Sequence, residues 1–151
     1  MRFNIDQIIL NLNKRSYKYI GSGSGRKVFD LGNGYVVKVA KNSKGVAQNK
    51  AEFEIASGCR SRLFAKIPIA SRDFSLLIME KADRIRHMSK VWSYYNVSSN
   101  KELFQLKELM DIPTYGLLLP DLRKSASWGI IKNRPVIIDY GFTWYVKNKY
   151  Y

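Results

Sequence analysis

The chain has 151 residues, of which 46% are hydrophobic and 13% aromatic, so its composition is that of a globular domain and excludes a disordered chain. No apolar run is long enough to cross a bilayer, the N-terminus lacks the features of a signal peptide, and one histidine with one cysteine excludes a His/Cys zinc site. The net charge of +14 favours nucleic acid, an acidic protein or nucleotide phosphates as partners.

The cysteine usage and the overall composition bear on where the protein works. Cys59 is the single cysteine and cannot form an internal disulfide, which favours a reducing compartment and predicts a cytoplasmic location. The usage of lysine, isoleucine and asparagine favours a bacterial or phage origin.

The N-terminal part of the sequence predicts a short helix and then a strand. Four apolar residues share one helical face: Ile5, Ile8, Ile9 and Leu12. Either Asn4 or Asp6 can cap this helix. Residues 16–20 then predict a strand that enters a glycine-rich turn.

A β-hairpin is predicted next, with strands at residues 27–31 and 35–41. Its turn contains Asn33-Gly34, a pair that suits a tight reversal with positive φ. Residues 42–49 are polar and include a glycine, which predicts a loop.

The remaining sequence alternates between helical and strand patterns. Helices are predicted at residues 48–62, 88–95 and 101–110. Short strands are predicted at residues 64–69, 74–79 and 136–138. This order predicts an α+β fold with an antiparallel sheet.

The glycine-rich turn resembles the G-x-G-x-x-G-x-V loop of protein kinases. Gly21, Gly23 and Val28 fall in register with that pattern. Gly25 lies one place early, and Arg26 occupies the third glycine position. Glycines let a backbone approach phosphates closely, so the resemblance implies that this turn binds ATP. The implied cofactor-binding residues of the turn are Gly21, Ser22, Gly23, Ser24, Gly25 and Val28.

A lysine in the hairpin strengthens the resemblance. Lys38 matches the kinase strand lysine that contacts the α- and β-phosphates, and strand alternation places it on an otherwise apolar face with Val36 and Ala40. The alternative is an edge-strand lysine that faces water. Glu52, 14 residues later, is the expected ion-pair partner, with Glu54 as its competitor. The resemblance thus implies that Lys38 and Glu52 are catalytic residues that orient the phosphates.

Two later segments match the kinase hinge and the metal-binding motif. Met79 is expected at the back of the adenine site, with the backbone of Glu80 and Ala82 at the adenine edge. VIIDYGF, residues 136–142, resembles the D-F-G segment with tyrosine in place of phenylalanine, which implies that Asp139 binds magnesium. Each of these segments also occurs in proteins that bind no nucleotide. The resemblance therefore depends on the order of all the segments along the chain.

The catalytic loop of the family is matched in part. Asp121, 18 residues before the metal-ligand candidate, is the implied base that accepts the substrate proton, with capping of a local turn as the alternative. Leu119-Pro120 replaces the family's His-Arg, and Ala126 stands where an asparagine would bind a second metal. Ten residues follow Gly141, too few for the family's activation segment and substrate-binding helices.

The resemblance implies one kinase-like domain over residues 1–151. Residues 1–80 would form the small lobe, an antiparallel five-stranded sheet plus a helix. Residues 81–151 would form a much reduced, mainly helical second lobe.

Three functions remain open at this point. The first is a regulatory or partner-binding pseudokinase that binds ATP and magnesium with weak or no phosphotransfer. The second is an active minimal Ser/Thr protein kinase or small phosphotransferase. The third is a basic nucleic-acid-binding protein, which the charge favours and no motif supports. An acidic protein is expected as a partner, and binding to a membrane is not expected.

Overall fold

A five-stranded antiparallel sheet forms the first part of the molecule. The structure is a computed structural model and describes residues 2–59, 61–110 and 112–151. The strands are β1 (Lys18–Ser22), β2 (Arg26–Asp30), β3 (Tyr35–Ala40), β4 (Ile69–Ala70) and β5 (Leu76–Glu80). They lie in the order β1-β2-β3-β5-β4, and every neighbouring pair is antiparallel. This confirms the expected α+β, kinase-like small-lobe architecture.

Two helices cover opposite faces of this sheet. Helix α1 (Ile5–Asn13) is capped by Asn4, whose side chain accepts a hydrogen bond from the Gln7 amide. It buries Ile8 against Val37 on one face. Since side chains alternate along β3, Val36 and Lys38 point to the other face, where helix α2 (Ser43–Gly58) lies.

Helix α2 begins earlier than the sequence indicated, so the predicted loop at residues 42–49 is wrong. Asn42 caps the helix, and its side chain accepts a hydrogen bond from the Gly45 amide at 3.1 Å. Gly45 is required by close packing rather than by a loop, because a Cβ there would collide with the carbonyl of Gly25. The first residues of α2 are therefore helical, although their polar side chains and their glycine are typical of a loop.

A second sheet of three strands was not predicted. Its strands are β6 (Asp83–Arg84), β7 (Trp128–Ile131) and β8 (Arg134–Ile137). Strand β6 pairs with β7, which pairs with β8, all antiparallel. Of this sheet, the sequence predicted only a strand at residues 136–138, and residues 136 and 137 lie in β8. The second part of the chain therefore combines short helices with a small sheet.

The hairpin turns of the two sheets reverse the chain differently. Between β2 and β3, Gly32 and Gly34 take positive φ, at +79° and +88°. Between β7 and β8, Lys132 and Asn133 do so at +50° and +63°. This second turn has the backbone of a tight primed turn without a glycine, so it lacks the residue pair by which such turns are usually predicted.

The remaining segments are shorter than expected. Residues 64–69 make no full strand; Phe64 forms an isolated parallel bridge with Ile137, and only Ile69 joins the sheet. The predicted helix at 101–110 is divided, because Leu106 is extended at ψ 144°. In its place are α4 (Asn100–Leu103) and a 3-10 turn (Lys107–Leu109).

Three further helices complete the fold. They are α3 (Ser89–Tyr95), α5 (Leu119–Leu122) and α6 (Trp144–Tyr150), the last capped by the Thr143 side chain. Single 3-10 turns occur at Ile112–Tyr115 and Ser125–Ser127. Among the described residues, none of the helices is long and apolar enough to cross a membrane.

One hydrophobic core joins the two sheets and fixes their separation. It includes Leu77 and Met79 from the large sheet and Trp128, Ile137 and Tyr140 from the second part, each at most 1% exposed. Because Tyr140 follows closely on β8, this core also positions Asp139 beside the large sheet.

Candidate functional site

A cleft of about 940 Å³ lies between the two sheets. All ten residues predicted to bind the cofactor line it: Gly21, Ser22, Gly23, Ser24, Gly25, Val28, Lys38, Met79, Glu80 and Ala82. Asp121 and Asp139 line it as well. Glu52 lies behind the cleft wall and has no exposed surface. The fold thus brings together residues that are up to 118 positions apart in the chain (139 − 21).

The glycine turn forms one wall of the cleft between β1 and β2. The Gly23 amide donates to the carbonyl of Arg26 at 2.9 Å, which closes the turn. Lys41 donates twice to this region, through its Nζ to the Ser22 hydroxyl and through its amide to the Gly25 carbonyl. Gly25 is buried against the start of α2, so it anchors the turn, whereas Gly23 stands in open space at its tip.

The carboxylate of Glu52 is the centre of a buried ion cluster. Lys38 Nζ lies 3.0 and 3.2 Å from its two oxygens, and Arg26 donates to both at 2.6 and 3.0 Å. The backbone amide of Tyr140 adds a fifth hydrogen bond at 2.9 Å. The predicted pairing of Lys38 with Glu52 is therefore present, and the competing Glu54 is exposed.

The opposite charges within the cluster shift the pKa values of its members. Burial alone would raise the pKa of Glu52, but the positive charges of Arg26 and Lys38 lower it to about 2. Burial acts to lower the pKa of Arg26, yet the Glu52 carboxylate outweighs it and raises that pKa. For Lys38, burial is the stronger influence, and its pKa lies below the ordinary lysine value.

Arg26 is the principal site residue that was not predicted from the sequence. Its side chain is 7% exposed, and it also donates to the Asn49 side chain at 3.0 Å and to Asp139 at 3.2 Å. The missed signal was strand alternation, which places Arg26 on the same face as Val28, a residue already assigned to the cleft. The third glycine position of the loop is thus filled by a buried cation.

Lys38 is held from three directions. Besides Glu52, its Nζ donates to the carbonyl of Ile138 at 2.6 Å, directly before Asp139. The backbone carbonyl of Lys38 accepts a bond from the Asn49 side chain at 3.4 Å. The lysine is therefore a fixed positive charge at the junction of the large sheet and the second part of the chain.

Asp139 faces the cleft with half of its side chain exposed. One of its oxygens accepts the hydrogen bond from Arg26 at 3.2 Å. Within the described residues, no group of three or more His, Cys, Asp or Glu side chains could hold a metal ion. A carboxylate that already binds a guanidinium fits magnesium poorly, since the ion needs oxygens around it and repels a neighbouring cation.

Asp121 lies in the short helix α5 (Leu119–Leu122) and lines the cleft. It does not cap this helix, because the cap position belongs to Leu118. Burial and, second, the negative charge of Asp139 raise the pKa of Asp121 to about 6. Ala126 also lines the cleft, and the adjacent Ser127 hydroxyl donates to the Asp121 carbonyl at 2.9 Å. The Asp121 carboxyl can therefore exchange a proton near neutral pH.

The inner end of the cleft is apolar and closed by the strand β5. Met79 is 1% exposed there. The Glu80 amide donates to the Lys66 carbonyl, and the Lys66 amide donates back to the Glu80 side chain, so this segment is firmly tied. Gly129 lies beneath Ala82, and a Cβ on it would be 2.6 Å from that of Ala82. The segment 80–82 therefore forms a fixed edge of the cleft.

The outer rim of the cleft is formed by Tyr151, which no sequence pattern indicated. Its hydroxyl lies 2.5 Å from the Ser24 hydroxyl at the tip of the glycine turn. Its ring packs edge-on against Phe142, and the Nζ of Lys44 lies 4.3 Å from the ring centre. The segment after Asp139 thus returns to the turn and contacts it.

Four features surround one cleft in chain order: the glycine turn, the Lys38–Glu52 pair, the segment after β5 and the Asp139 turn. This arrangement is that of the protein kinase-like fold. Comparison with solved structures gives the same class. The ternary complex of APH(2″)-IIa with streptomycin and ATP is 18% identical and matches with a TM-score of 0.53, covering 93% of this chain and 73% of that chain. The gentamicin complex of APH(2″)-IIa is 20% identical, with a TM-score of 0.50 and coverage of 93% and 71%.

These similarities show the fold. No protein-family model matches the sequence, and the search of curated proteins gives no match.

Proposed function

We propose that the chain binds a nucleoside triphosphate, ATP in the first instance, in the cleft and acts as a regulatory or partner-binding protein with weak or no phosphotransfer. The observation that carries this proposal is the buried Lys38–Glu52 ion pair beneath a glycine turn. A buried lysine requires a partner for its charge, and one that lines a cleft beside a glycine turn is suited to phosphate.

The lining of the cleft supports the proposal at both ends. The apolar inner end around Met79 suits a flat base, and the Glu80 carbonyl, whose own amide is bonded to Lys66, together with the backbone of Ala82 can offer hydrogen bonds to its edge. The amides of the glycine turn suit the phosphates at the other end. The presence of ATP in the streptomycin complex of APH(2″)-IIa agrees with this choice of ligand.

Weak phosphotransfer is favoured by what surrounds Asp121. Ala126 lines the cleft where an amide side chain would hold a second metal, and it offers no ligand atom. The nearby Ser127 hydroxyl is engaged by the Asp121 carbonyl. Efficient transfer depends on holding charge in line with the acceptor, and few groups in this part of the cleft can do so.

Calorimetric titration with ATP tests the proposal. Lys38→Met should weaken binding at least tenfold, because it removes the fixed charge while keeping the length of the side chain. Lys27→Met is the matched control, since Lys27 is the exposed lysine on the other face of β2. Equal affinity in Lys38→Met and wild type would refute a phosphate-binding role for this cleft.

An active small phosphotransferase is the second candidate, and Asp121 favours it. A carboxylate with a pKa near 6 can take the proton of an acceptor hydroxyl as its oxygen attacks the γ-phosphorus and ADP leaves. Transfer of ³²P from labelled ATP, lost in Asp121→Asn and retained in Asp83→Asn, would establish this candidate. No transfer under conditions in which ATP binds would leave the regulatory function.

The proposed partner is an acidic protein, and helix α6 is the proposed contact. Trp144 and Tyr145 are 55% and 64% exposed there, with Lys147 and Lys149 packed over their rings. A fluorescent glutamate-rich peptide should bind, and Lys147→Gln with Lys149→Gln should weaken it. Tighter binding of a single-stranded oligonucleotide than of the peptide would instead support nucleic acid as the partner.

A further inference from the structure

We propose that the cleft takes its nucleoside triphosphate without a divalent cation, and that the guanidinium of Arg26 supplies the positive charge that magnesium would bring. This inference rests on the proposed nucleotide binding and concerns the form of the ligand. It departs from the sequence-based expectation that Asp139 binds magnesium.

The first support is the donor set at Asp139. The carboxylate that would hold the cation already accepts a hydrogen bond from Arg26 at 3.2 Å. Within the described residues, Asp139 belongs to no group of three or more His, Cys, Asp or Glu side chains that could hold a metal ion. Ala126 supplies no oxygen from its side chain. A divalent ion at Asp139 would therefore find one shared carboxylate and a cation beside it.

The second support is that Arg26 cannot easily withdraw. Its guanidinium makes two bonds to Glu52, one to Asn49 and one to Asp139, and 7% of its side chain is exposed. An arginine held through both terminal nitrogens has a fixed plane, and it stays charged at any pH at which the protein is folded. Admitting a metal at Asp139 would break the bond to Arg26, and the three remaining hydrogen bonds to Glu52 and Asn49 would keep the guanidinium beside the ion.

The third support is the balance of charge. Lys38 and Arg26 carry two positive charges, against one on Glu52 and one on the half-exposed Asp139. Both cations line the cleft, whose full set of charged side chains is six basic ones, Lys18, Arg26, Lys38, Lys81, Arg84 and Lys124, and five acidic ones, Asp30, Glu80, Asp83, Asp121 and Asp139. A metal-free nucleotide would therefore meet fixed positive charge beside Asp139, and Arg26 acts through this charge because both of its terminal nitrogens already donate to Glu52, Asn49 and Asp139. In the usual kinase loop, a glycine stands at the Arg26 position and provides no such charge.

The test is ATP titration by calorimetry in EDTA and again in excess magnesium. We expect the dissociation constant in EDTA to be equal to or lower than that in magnesium, because magnesium withdraws the free nucleotide. Tightening of more than threefold by magnesium would overturn the inference and leave the proposed function intact. No binding in either buffer would overturn both.

Asp139→Asn separates the two possibilities while keeping an oxygen for the contact with Arg26. The amide oxygen can still accept the Arg26 hydrogen bond, whereas the charge that a metal needs is lost. We expect ATP affinity to be at least as high as in wild type in both buffers, since the phosphates lose a negative neighbour. A tenfold loss of affinity that occurs in magnesium but not in EDTA would show that Asp139 binds the cation and would contradict the inference.

Arg26→Gly restores the residue of the kinase loop. We expect it to weaken ATP binding in EDTA at least tenfold and to make the remaining binding depend on magnesium, since Asp139 is then released. Circular dichroism establishes whether this variant folds, and the Asp139→Asn result decides the inference if it does not. Binding by folded Arg26→Gly that equals wild type in EDTA would overturn the role given to Arg26.

Discussion

The guanidinium of Arg26 lies 2.6 Å from Oε1 of Glu52, closer to this carboxylate than the expected lysine partner. Two cations therefore share one buried carboxylate, and the pair of charges found in the kinase-like fold becomes a cluster of three. Arg26 also extends the cluster to Asp139, so the glycine turn, helix α2 and the segment after β8 are joined by charge.

Glu52→Gln should strongly destabilise the protein, because Arg26 and Lys38 would remain buried without a counter-charge. Breaking a buried ion pair from one side costs about 3–5 kcal/mol, a large part of the stability of a domain of this size. Urea unfolding measures the change. Glu54→Gln is the matched control on an exposed position of the same helix and should stay within about 0.5 kcal/mol of wild type.

The low pKa of Glu52 also predicts acid sensitivity. The unfolded carboxyl takes up its proton near its ordinary value of 4.5, whereas the folded one does so at about 2. The stabilisation from Glu52 is thus complete above about pH 4.5 and is lost as the pH falls towards 2. Unfolding measured across this range should show a steep loss of stability. A stability that is flat between pH 4.5 and 2.5 would contradict the cluster.

Asp121 predicts the opposite dependence on pH. Its folded pKa of about 6 lies above the ordinary 3.8, so the folded protein binds the extra proton and loses stability as the pH rises from 4 to 6. Asp121→Asn should therefore be more stable than wild type at pH 7 by about 1 kcal/mol, after allowance for the solvent around a half-exposed group. The difference should vanish near pH 4, and exposed Asp83→Asn should show no such trend.

The contact between Gly25 and Gly45 predicts intolerance of a methyl group. Gly45→Ala would push a Cβ into the backbone carbonyl of Gly25, and the turn or the helix must then move. We expect a loss of about 1–3 kcal/mol in urea unfolding, as for an overpacked core position. Gly23→Ala is the control, because nothing lies within 4 Å of its Cβ. Equal stability of the two variants would argue against the close contact.

The hydrogen bond of Tyr140 predicts that phenylalanine, the residue of the kinase D-F-G motif, would make this protein less stable. Its hydroxyl donates to the Ala65 carbonyl at 2.7 Å in the core. Tyr140→Phe recreates the D-F-G sequence but leaves that buried carbonyl without its donor, at a cost of about 1–3 kcal/mol. Tyr145→Phe, at an exposed tyrosine, should change the free energy of unfolding by less than about 0.5 kcal/mol.

The features that were predicted well depend on strong local patterns. The apolar alternation around Lys38 predicted a strand with one apolar face, and the apolar run before Asp139 predicted a strand end, whereas the pairing of Lys38 with Glu52 came from the resemblance to protein kinases. These positions are set by period and order, which a single sequence carries.

The features that were not predicted depend on contacts between distant segments. Arg26 departs from the kinase pattern, and the sequence shows no reason for it because its partners lie 23 to 113 residues away. Strands β6 and β7 are two and four residues long, and they exist through pairing rather than through propensity. The polar start of α2 has a loop-like composition, since Gly45 is explained only by the approach of Gly25.

Backbone NMR during titration with ATP locates the ligand most directly. We expect the amide signals of residues 21–25 and 80–82 to shift together and in proportion to saturation, while those of α1, on the far face of the sheet, stay in place. Shifts confined to α6, or none at all at saturating ATP, would contradict the proposal that the glycine turn and Lys38 hold the phosphates of a nucleotide.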